Sequence, residues 1–501
     1  MQLLDGARFY RFDAKTRRFV RGEALIVDGG RILSLDARDA GVGVKRVDLG
    51  GAVVLPAFAD CHVHLTEVGY FLGARDLSGA KSYDEFATAI ERVPSESGIV
   101  FAGGFDESLW RDERTADARP LERFHAGARA MLVRVDGHSC VVNRSALEWL
   151  ALDPRSEGIE RDAQGLPTGR LALAANWTAQ SRFQDALPLA QRREAERRAV
   201  DLALSRGALH LHAQLYGFPR EQYAREIEAL RALPAKLYPK VCEPDPRLAI
   251  ELGLPFIGGD VFLDGSLGSR TAAMSHPYAD DPATCGALHY ADDELLRFFS
   301  DSESLGIAAG VHAIGDAAIE QCVRTWERVL GGRPPPRGTR HFVEHFECAR
   351  PEQIEACARM GIHLSMQPLF DAAWGGEGEM YETRLGAERS RTMNALGSAA
   401  RAGATICGGD DAPVCALDPL AGMQAAIEHH QASEQLTPHE AVTAYTVAAA
   451  HLGYAEGQTG NLAPGLAADL VLLDRDPFDG AAFAQCTVLE TWHDGRAVYR
   501  R

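Results

Sequence analysis

The sequence predicts an α/β fold, a (β/α)8 TIM barrel with a large insertion after strand 1 and a small β-sandwich formed from both termini. Three observations predict it. First, apolar runs ending in polar or glycine-rich punctuation recur with helical segments between them, the βαβα order of a parallel sheet or barrel. Eight such runs fall near 53–60, 207–214, 235–242, 259–264, 306–312, 341–345, 361–367 and 404–410. Second, the two ends carry short strands and tight turns instead: residues 23–33 around Asp28-Gly29-Gly30, and residues 468–474, 487–492 and 497–499 around Asp494-Gly495. Third, residues 70–195 are far too many for a βα loop and hold strand-like runs of their own at 98–103 and 130–136.

These observations divide the chain into 1–52 and 457–501, the two parts of the sandwich, and a barrel over 53–456 in which 70–195 cap the mouth. Helices between the strands are legible from their spacing, as in residues 317–323, where the apolar positions share one face. A chain of 501 residues with 46% hydrophobic and 24% charged residues has the composition of a folded protein throughout. A net charge of −18 speaks against nucleic acid and anionic membranes, which reward clustered lysine and arginine, and favours a small neutral or cationic substrate. The N-terminus shows no basic segment followed by an apolar one, and no run of about 18 apolar residues occurs, so a cytoplasmic protein is expected. Ten cysteines without a C-x-x-C pair suit reduced thiols. No Gly-Lys dipeptide exists, which removes a Walker-type phosphate loop. A homo-oligomer is compatible with all of this.

The chemistry gathers at the ends of the apolar runs. Residues 54–64 close on His62-Val63-His64; residues i and i+2 of a strand face the same way, so two imidazoles can hold one cation. An isolated H-x-H arises easily by chance. Here His312 ends the run at 306–312, His345 ends the run at 341–345, and Asp410 ends the run at 404–410 with Asp411 directly after it. Convergence of such groups on one barrel face is what a metal site requires.

In this order, H-x-H on the first strand, histidines on the fifth and sixth and aspartate on the eighth, the chain resembles the amidohydrolase superfamily. Further stretches are similar to its N-substituted formamide deformylase-like group: residues 104–110, 136–139 with Asn143, 263–272, 366–368 and 465–471. The resemblance implies hydrolysis of a carboxamide-type C–N bond (N-acyl, N-formyl or cyclic amide) by water activated on Zn2+ or another divalent transition metal, with Asp411 as general base. It implies that His345 binds a second ion or orients the substrate, and that Asp106, His138, Asn143 and Gln367 contact substrate. Arg270 is a candidate partner for a substrate carboxylate, His212 for lining the pocket, and Trp110, Phe370 and Trp374 for walling it.

The sequence departs from the family pattern at three places. Relatives carry, four residues before the Asp-Gly-Ser-Leu-Gly stretch, a lysine whose carbamate bridges two metals; Asp260 stands there. Three readings follow: one ion held by His62, His64, His312 and Asp411; a displaced second ion on Asp260; or Lys240, one of only five lysines, in the missing lysine's place. The single ion is the expected arrangement. Leu173 stands where relatives often have glutamate, and Asp410 where they have a small residue. Deamination of an amidine-like ring at one metal is the alternative chemistry, and a barrel retained for binding or regulation after losing catalysis is the alternative of another class.

Overall fold

Eight short parallel strands form the centre of the computed structural model, which describes every residue except 42, 113 and 481. They are β1 (Phe58–Val63), β2 (Ala208–Leu215), β3 (two pieces, Lys236–Leu237 and Lys240–Val241), β4 (Phe256–Phe262), β5 (Ala308–Ala313), β6 (Phe342–His345), β7 (His363–Met366) and β8 (Ile406–Gly408). β1, β2 and β3 pair in parallel, as do β4 through β8 in chain order. The chain leaving β8 returns to β1: Asp411 N–H donates to His62 O at 2.9 Å and His64 N–H to Ala412 O at 2.8 Å. A side chain spans from β2 to β4, where Asp260 N–H donates to Gln214 Oε1 at 3.3 Å. The result is a TIM-barrel-type α/β fold.

Strand periodicity sorts the side chains. On β2, Leu209, Leu211, Ala213 and Leu215 join the large apolar cluster that also takes Ala199 and Ala203 of helix Leu189–Ser205 and Ile319, Cys322 and Trp326 of helix Asp316–Leu330. His210, His212 and Gln214 occupy the opposite face. Inside the barrel a small apolar layer of Cys61, Phe256, Ala308, Phe342 and Cys407 is closed by Ala449 and Leu452 of helix Val447–Leu452. Two residues on from Phe342 and four on from Ala308, with the same facing, come Glu344 and His312. The polar layer therefore rests directly on an apolar floor.

The termini build two sheets. One has six strands, in the order Arg496–Arg500, Val488–His493, Leu470–Leu473, Val53–Pro56, Arg8–Asp13, Arg18–Gly22; the other has four, Arg31–Ser34, Leu25–Asp28, Gln2–Asp5, Lys45–Asp48. Leu4, Leu25, Val27 and Ile32 of the smaller sheet share a core with Phe9, Val54, Leu470, Leu472 and Trp492 of the larger. The expected strand 53–60 is thereby divided: Val53–Pro56 runs antiparallel to Leu470–Leu473, and only from Phe58 does the chain enter the barrel. Residues 53–59 are apolar on both sides of the change because both halves are buried, so the run itself carries no sign of the change of sheet.

Residues 99–172 form a separate five-stranded sheet, ordered Ile159–Arg161, Pro167–Ala172, Ser139–Val142, Arg129–Arg134, Ile99–Phe105. Distinct apolar clusters cover its two faces, one around Phe101, Met131 and Phe183, the other around Phe86, Phe105 and Leu132. Helix Leu173–Ala186 leaves this sheet and reaches the barrel mouth with Trp177 and Gln180.

β4 is irregular in a way that matters for the site. Gly258 pairs with Gly310 and Phe262 with His312, so four residues of β4 advance against two of β5. Gly258 and Gly259 accommodate the bulge at φ +88° and +112°, and a Cβ at Gly258 would lie 2.0 Å from Gly310 O. Gly258→Ala is expected to lower stability by roughly 2–4 kcal/mol through backbone strain and overpacking, read as a lower midpoint in urea unfolding.

Candidate metal centre

At the barrel mouth, four imidazoles surround one carboxylate. Asp260 Oδ2 lies 3.3 Å from His62 Nε2 and 3.4 Å from His64 Nε2; its Oδ1 lies 3.8 Å from both His312 Nδ1 and His345 Nε2. Asp411 Oδ1 approaches the first pair from the other side, 3.3 Å from His62 Nε2 and 3.0 Å from His64 Nε2, while its Oδ2 lies 4.0 Å from His345 Nδ1.

Three of the four histidines are oriented by a protein acceptor on the far nitrogen, whereas His64 Nδ1 is buried without a partner among the described residues. His62 Nδ1 bonds Glu344 Oε2 at 2.9 Å, His312 Nε2 bonds Gly265 O at 3.1 Å, and His345 Nδ1 bonds Gln367 Oε1 at 2.9 Å. Such bonds fix the tautomer and leave the other nitrogen's lone pair facing the centre. His62 Nε2, His312 Nδ1, both oxygens of Asp260 and Oδ1 of Asp411 are buried without a hydrogen-bond partner among the described residues. Unpaired buried acceptors of this number are costly unless a cation gathers them. Ligand bonds of about 2.0–2.2 Å around a tetrahedral ion set neighbouring ligand atoms roughly 3.3–3.6 Å apart, close to the 3.0–3.4 Å spacings around His62 and His64. The residues present therefore fit a divalent metal.

The imidazoles in turn set the ionisation of the two carboxylates. Burial acts to raise the Asp260 carboxyl, but His62, His312 and His345 outweigh it and hold it well below the usual carboxylate range. Asp411 is held low against burial by His62 and His64.

Behind the histidines lies an ion pair whose acid, Glu344, the sequence did not reveal. Lys240 Nζ donates to Glu344 Oε1 at 2.5 Å and to Cys61 O at 2.7 Å, and sits 4.6 Å from the centre of the Phe342 ring. Glu344 resists burial and stays ionised through Lys240 and His62. Lys240 thus stands behind the centre, buried and ion-paired, and is not placed as a substitute for the missing lysine. An acid and a lysine inside apolar strands, at Phe342-Val343-Glu344 and Pro239-Lys240-Val241, were the available signals. Gln214 and Asp264 were also missed as supports. Asp264 accepts from Ile314, Gly315 and Ala273 N–H at 3.0, 2.8 and 2.8 Å, tying the ends of β4 and β5 together.

A cavity opens from the centre, lined by His64, Asp260, His312, His345 and Asp411 and walled by Phe71, Trp177, Phe262, Phe370, Trp374 and Tyr381. Trp177 and Phe262 stack at 4.4 Å. His138 also lines it, with its ring 5.2 Å from that of His312, and burial pushes its imidazole down to about 3, leaving it neutral. Glu67 lines the wall one helical turn beyond His64, its Oε1 engaged by Tyr216 at 2.8 Å and by Gln184.

Several expected contacts lie elsewhere. Asn143 caps helix Arg144–Leu150 and bonds Ala130 N–H, which consumes its amide in the five-stranded sheet. Asp106 is locked by Arg134 at 2.6 Å and by Trp374 Nε1 at 3.1 Å, so it braces an aromatic of the wall instead of meeting the cavity. Arg270 pairs with Asp280 at 2.7 Å in a neighbouring polar groove. His212 is stacked on Tyr238 at 4.7 Å beside the apolar floor, below the cavity. Gln367 reaches the cavity only through His345. Trp110 packs on Phe86, away from the wall that Phe370 and Trp374 form. Asp410 points away from the centre, accepting from Tyr445 OH at 3.1 Å and Asp418 N–H at 2.7 Å. Leu173 opens helix Leu173–Ala186 at φ +47° and is not among the cavity-lining residues.

A parallel barrel with imidazoles and carboxylates converging at the C-terminal ends of its strands defines the class of metal-dependent barrel hydrolases. Residues 45–499 match the amidohydrolase family, and the chain belongs to that family of hydrolases acting on C–N bonds. It is 29% identical to the putative amidohydrolase YtcJ of Bacillus subtilis (strain 168), over 96% of each chain. It is 26% identical to an N-substituted formamide deformylase of Arthrobacter pascens, over 96% of this chain and 95% of that one. Among solved structures it is similar to an uncharacterized metal-dependent hydrolase of Pyrococcus horikoshii OT3, at 26% identity and a TM-score of 0.75, covering 97% of this chain and 99% of that one. No helix among the described residues is long and apolar enough to cross a membrane.

Glu344→Gln is expected to weaken Zn2+ affinity by about 10–100-fold, measured by competition with a chromogenic chelator, because His62 loses its charged acceptor. Lys240→Met leaves Glu344 buried without its cation and is expected to cost about 3–5 kcal/mol of stability in denaturant titrations.

Proposed function

We propose that the protein hydrolyses the carboxamide-type C–N bond of a small N-acyl, N-formyl or cyclic amide, using Asp411 as general base. The observation that carries this reading is the set of buried, unpaired nitrogen and oxygen donors around Asp260, opening directly into an aromatic-walled cavity. His62, His64, His312, His345, Asp260 and Asp411 are the residues that would hold metal. A divalent cation bound there supplies Lewis acidity, acidifying water and polarising the scissile carbonyl.

The chain's own residues do the rest. Asp411 Oδ1 is directed at His62 and His64, which leaves Oδ2 to take the proton of the attacking water and return it to the leaving nitrogen. His138, neutral and on the cavity wall, can donate one hydrogen bond to the carbonyl oxygen without adding a charge. Trp177, Phe262 and Phe370 receive the organic part of the substrate and keep bulk water from the centre. A formamide or acyl-amide substrate is supported by the 26% identity to the Arthrobacter enzyme and by this apolar wall.

Asp411→Asn is expected to fold with an unchanged circular dichroism spectrum and to lose about 10²–10⁴-fold in kcat on any amide that wild type turns over. Retained turnover would refute the assigned base. Trp177→Ala is expected to raise KM roughly 5–30-fold for substrates with an aromatic or branched N-substituent, with kcat much less affected. A panel of formamides, acyl amides and cyclic amides, tested on Zn2+-, Mn2+- and Co2+-loaded protein, provides the measurement; activity on ring amidines alone would overturn the amide assignment.

A further inference from the structure

We propose that the cavity takes an amide whose organic part carries a protonated amine, held by the carboxylate of Glu347 in a corner made by the rings of Phe370, Trp374 and Tyr381. The proposal rests on the reading of this cavity as the site of amide hydrolysis and deepens it by naming the charge of the substrate.

Glu347 lies two residues beyond His345, is 3% exposed and lines the cavity. Its Oε2 accepts from Tyr381 OH at 2.6 Å, while its Oε1 accepts no hydrogen bond among the described residues. A carboxylate can accept about four hydrogen bonds, and burying one against a single neutral donor is costly. The other acids of the wall outside the metal centre are met from within the protein. Asp136 accepts from Arg134 at 2.8 Å, Ser266 at 2.6 Å and Ser269 at 2.7 Å. Glu67 accepts from Tyr216 at 2.8 Å and from Gln184. Protein cations are equally committed: among the described residues no lysine lines the cavity, and Arg134 is divided among Asp106, Glu107 and Asp136. The positive charge that Glu347 lacks is left for a ligand to bring.

The rings beside Glu347 suit that charge. Phe370 and Trp374 meet at 60° with centres 5.1 Å apart, and Trp374 and Tyr381 at 65° with centres 6.4 Å apart, so the three make a corner instead of a stack. All three line the cavity, and the bond from Trp374 Nε1 to Asp106 Oδ2, 3.1 Å, fixes the middle ring. Aromatic faces attract an ammonium group in a desolvated site, and Oε1 adds a charge-assisted hydrogen bond. An alkyl group of the same size would gain the apolar contact and leave Oε1 unpaired. Phe370 also lies parallel to His345 with ring centres 6.0 Å apart, so the corner adjoins the proposed metal ligands.

The test uses methanesulfonamides, which mimic the amide and are not cleaved, with linkers of three to six carbons ending either in an ammonium or in a methyl group. Titration calorimetry at pH 8 on Zn2+-loaded wild type should give at least tenfold tighter binding of the ammonium series at its best linker than of the matched methyl compound. In Glu347→Gln that ratio should fall to about one at unchanged Zn2+ content; a carboxylate with a purely structural role would lower both affinities together and leave the ratio intact. Phe370→Leu, which keeps Glu347, should lower the ratio at least threefold. Equal affinity for the two series in wild type, or a preference that survives Glu347→Gln, would overturn the proposal. An ammonium preference without cleavage of the corresponding formamides or acyl amides would sink the proposed function alone, and cleavage of neutral amides by a protein with no such preference would sink this inference alone.

Discussion

The carboxylate of Asp260 stands between four imidazoles at the end of β4, and the surrounding structure is arranged to hold it there. Left to themselves these groups would make a poor interior: buried acceptors face one another, and the hydrogen bonds of His62, His312 and His345 are turned to the outside of the ring. Such an arrangement persists in a fold only if something positive occupies its centre. The amidohydrolase barrel meets that condition with metal, and the remaining polar layer can be understood as support for it.

The support runs in two directions. Downward, His62 is held by Glu344, and Glu344 by Lys240, whose aliphatic stem and charge are enclosed by Phe342 and by the apolar floor. A buried ion pair of this kind contributes little net stability, but it supplies a fully charged acceptor in a place where water cannot. Sideways, Asp264 binds three backbone N–H groups and so joins the ends of β4 and β5, the two strands that carry Asp260 and His312. The five-stranded sheet adds the roof. Its connection through helix Leu173–Ala186 brings Trp177 against Phe262, converting an open barrel mouth into a walled cavity.

The residues absent from the cavity define its chemistry as clearly as those present. Arg134 is the one arginine on the wall among the described residues, and it is consumed by Asp106, Glu107 and Asp136; Arg270 faces another groove. Among the described residues the cavity therefore offers no free guanidinium for a substrate carboxylate. This accords with the acidic balance of the whole chain.

The sequence by itself determined the alternation of strands and helices, the contribution of both termini to one β-structure, and the histidines and aspartates that gather at the mouth. These were legible because burial imposes a period on each strand and because a ligand must stand where a strand ends. It did not determine which run joined which sheet: residues 53–59 are apolar throughout, yet serve two sheets on either side of Ala57. Nor did it determine direction. Asn143, Asp106 and Arg270 have the residue types of substrate contacts, but caps and ion pairs elsewhere consume them, and His212 shares its facing with Gln214 but lies one layer too deep. The reach of Asp260 was decided only by tertiary structure. A side chain's length is written in the sequence, whereas the point from which it starts is set by the glycine bulge and by the strands packed around it.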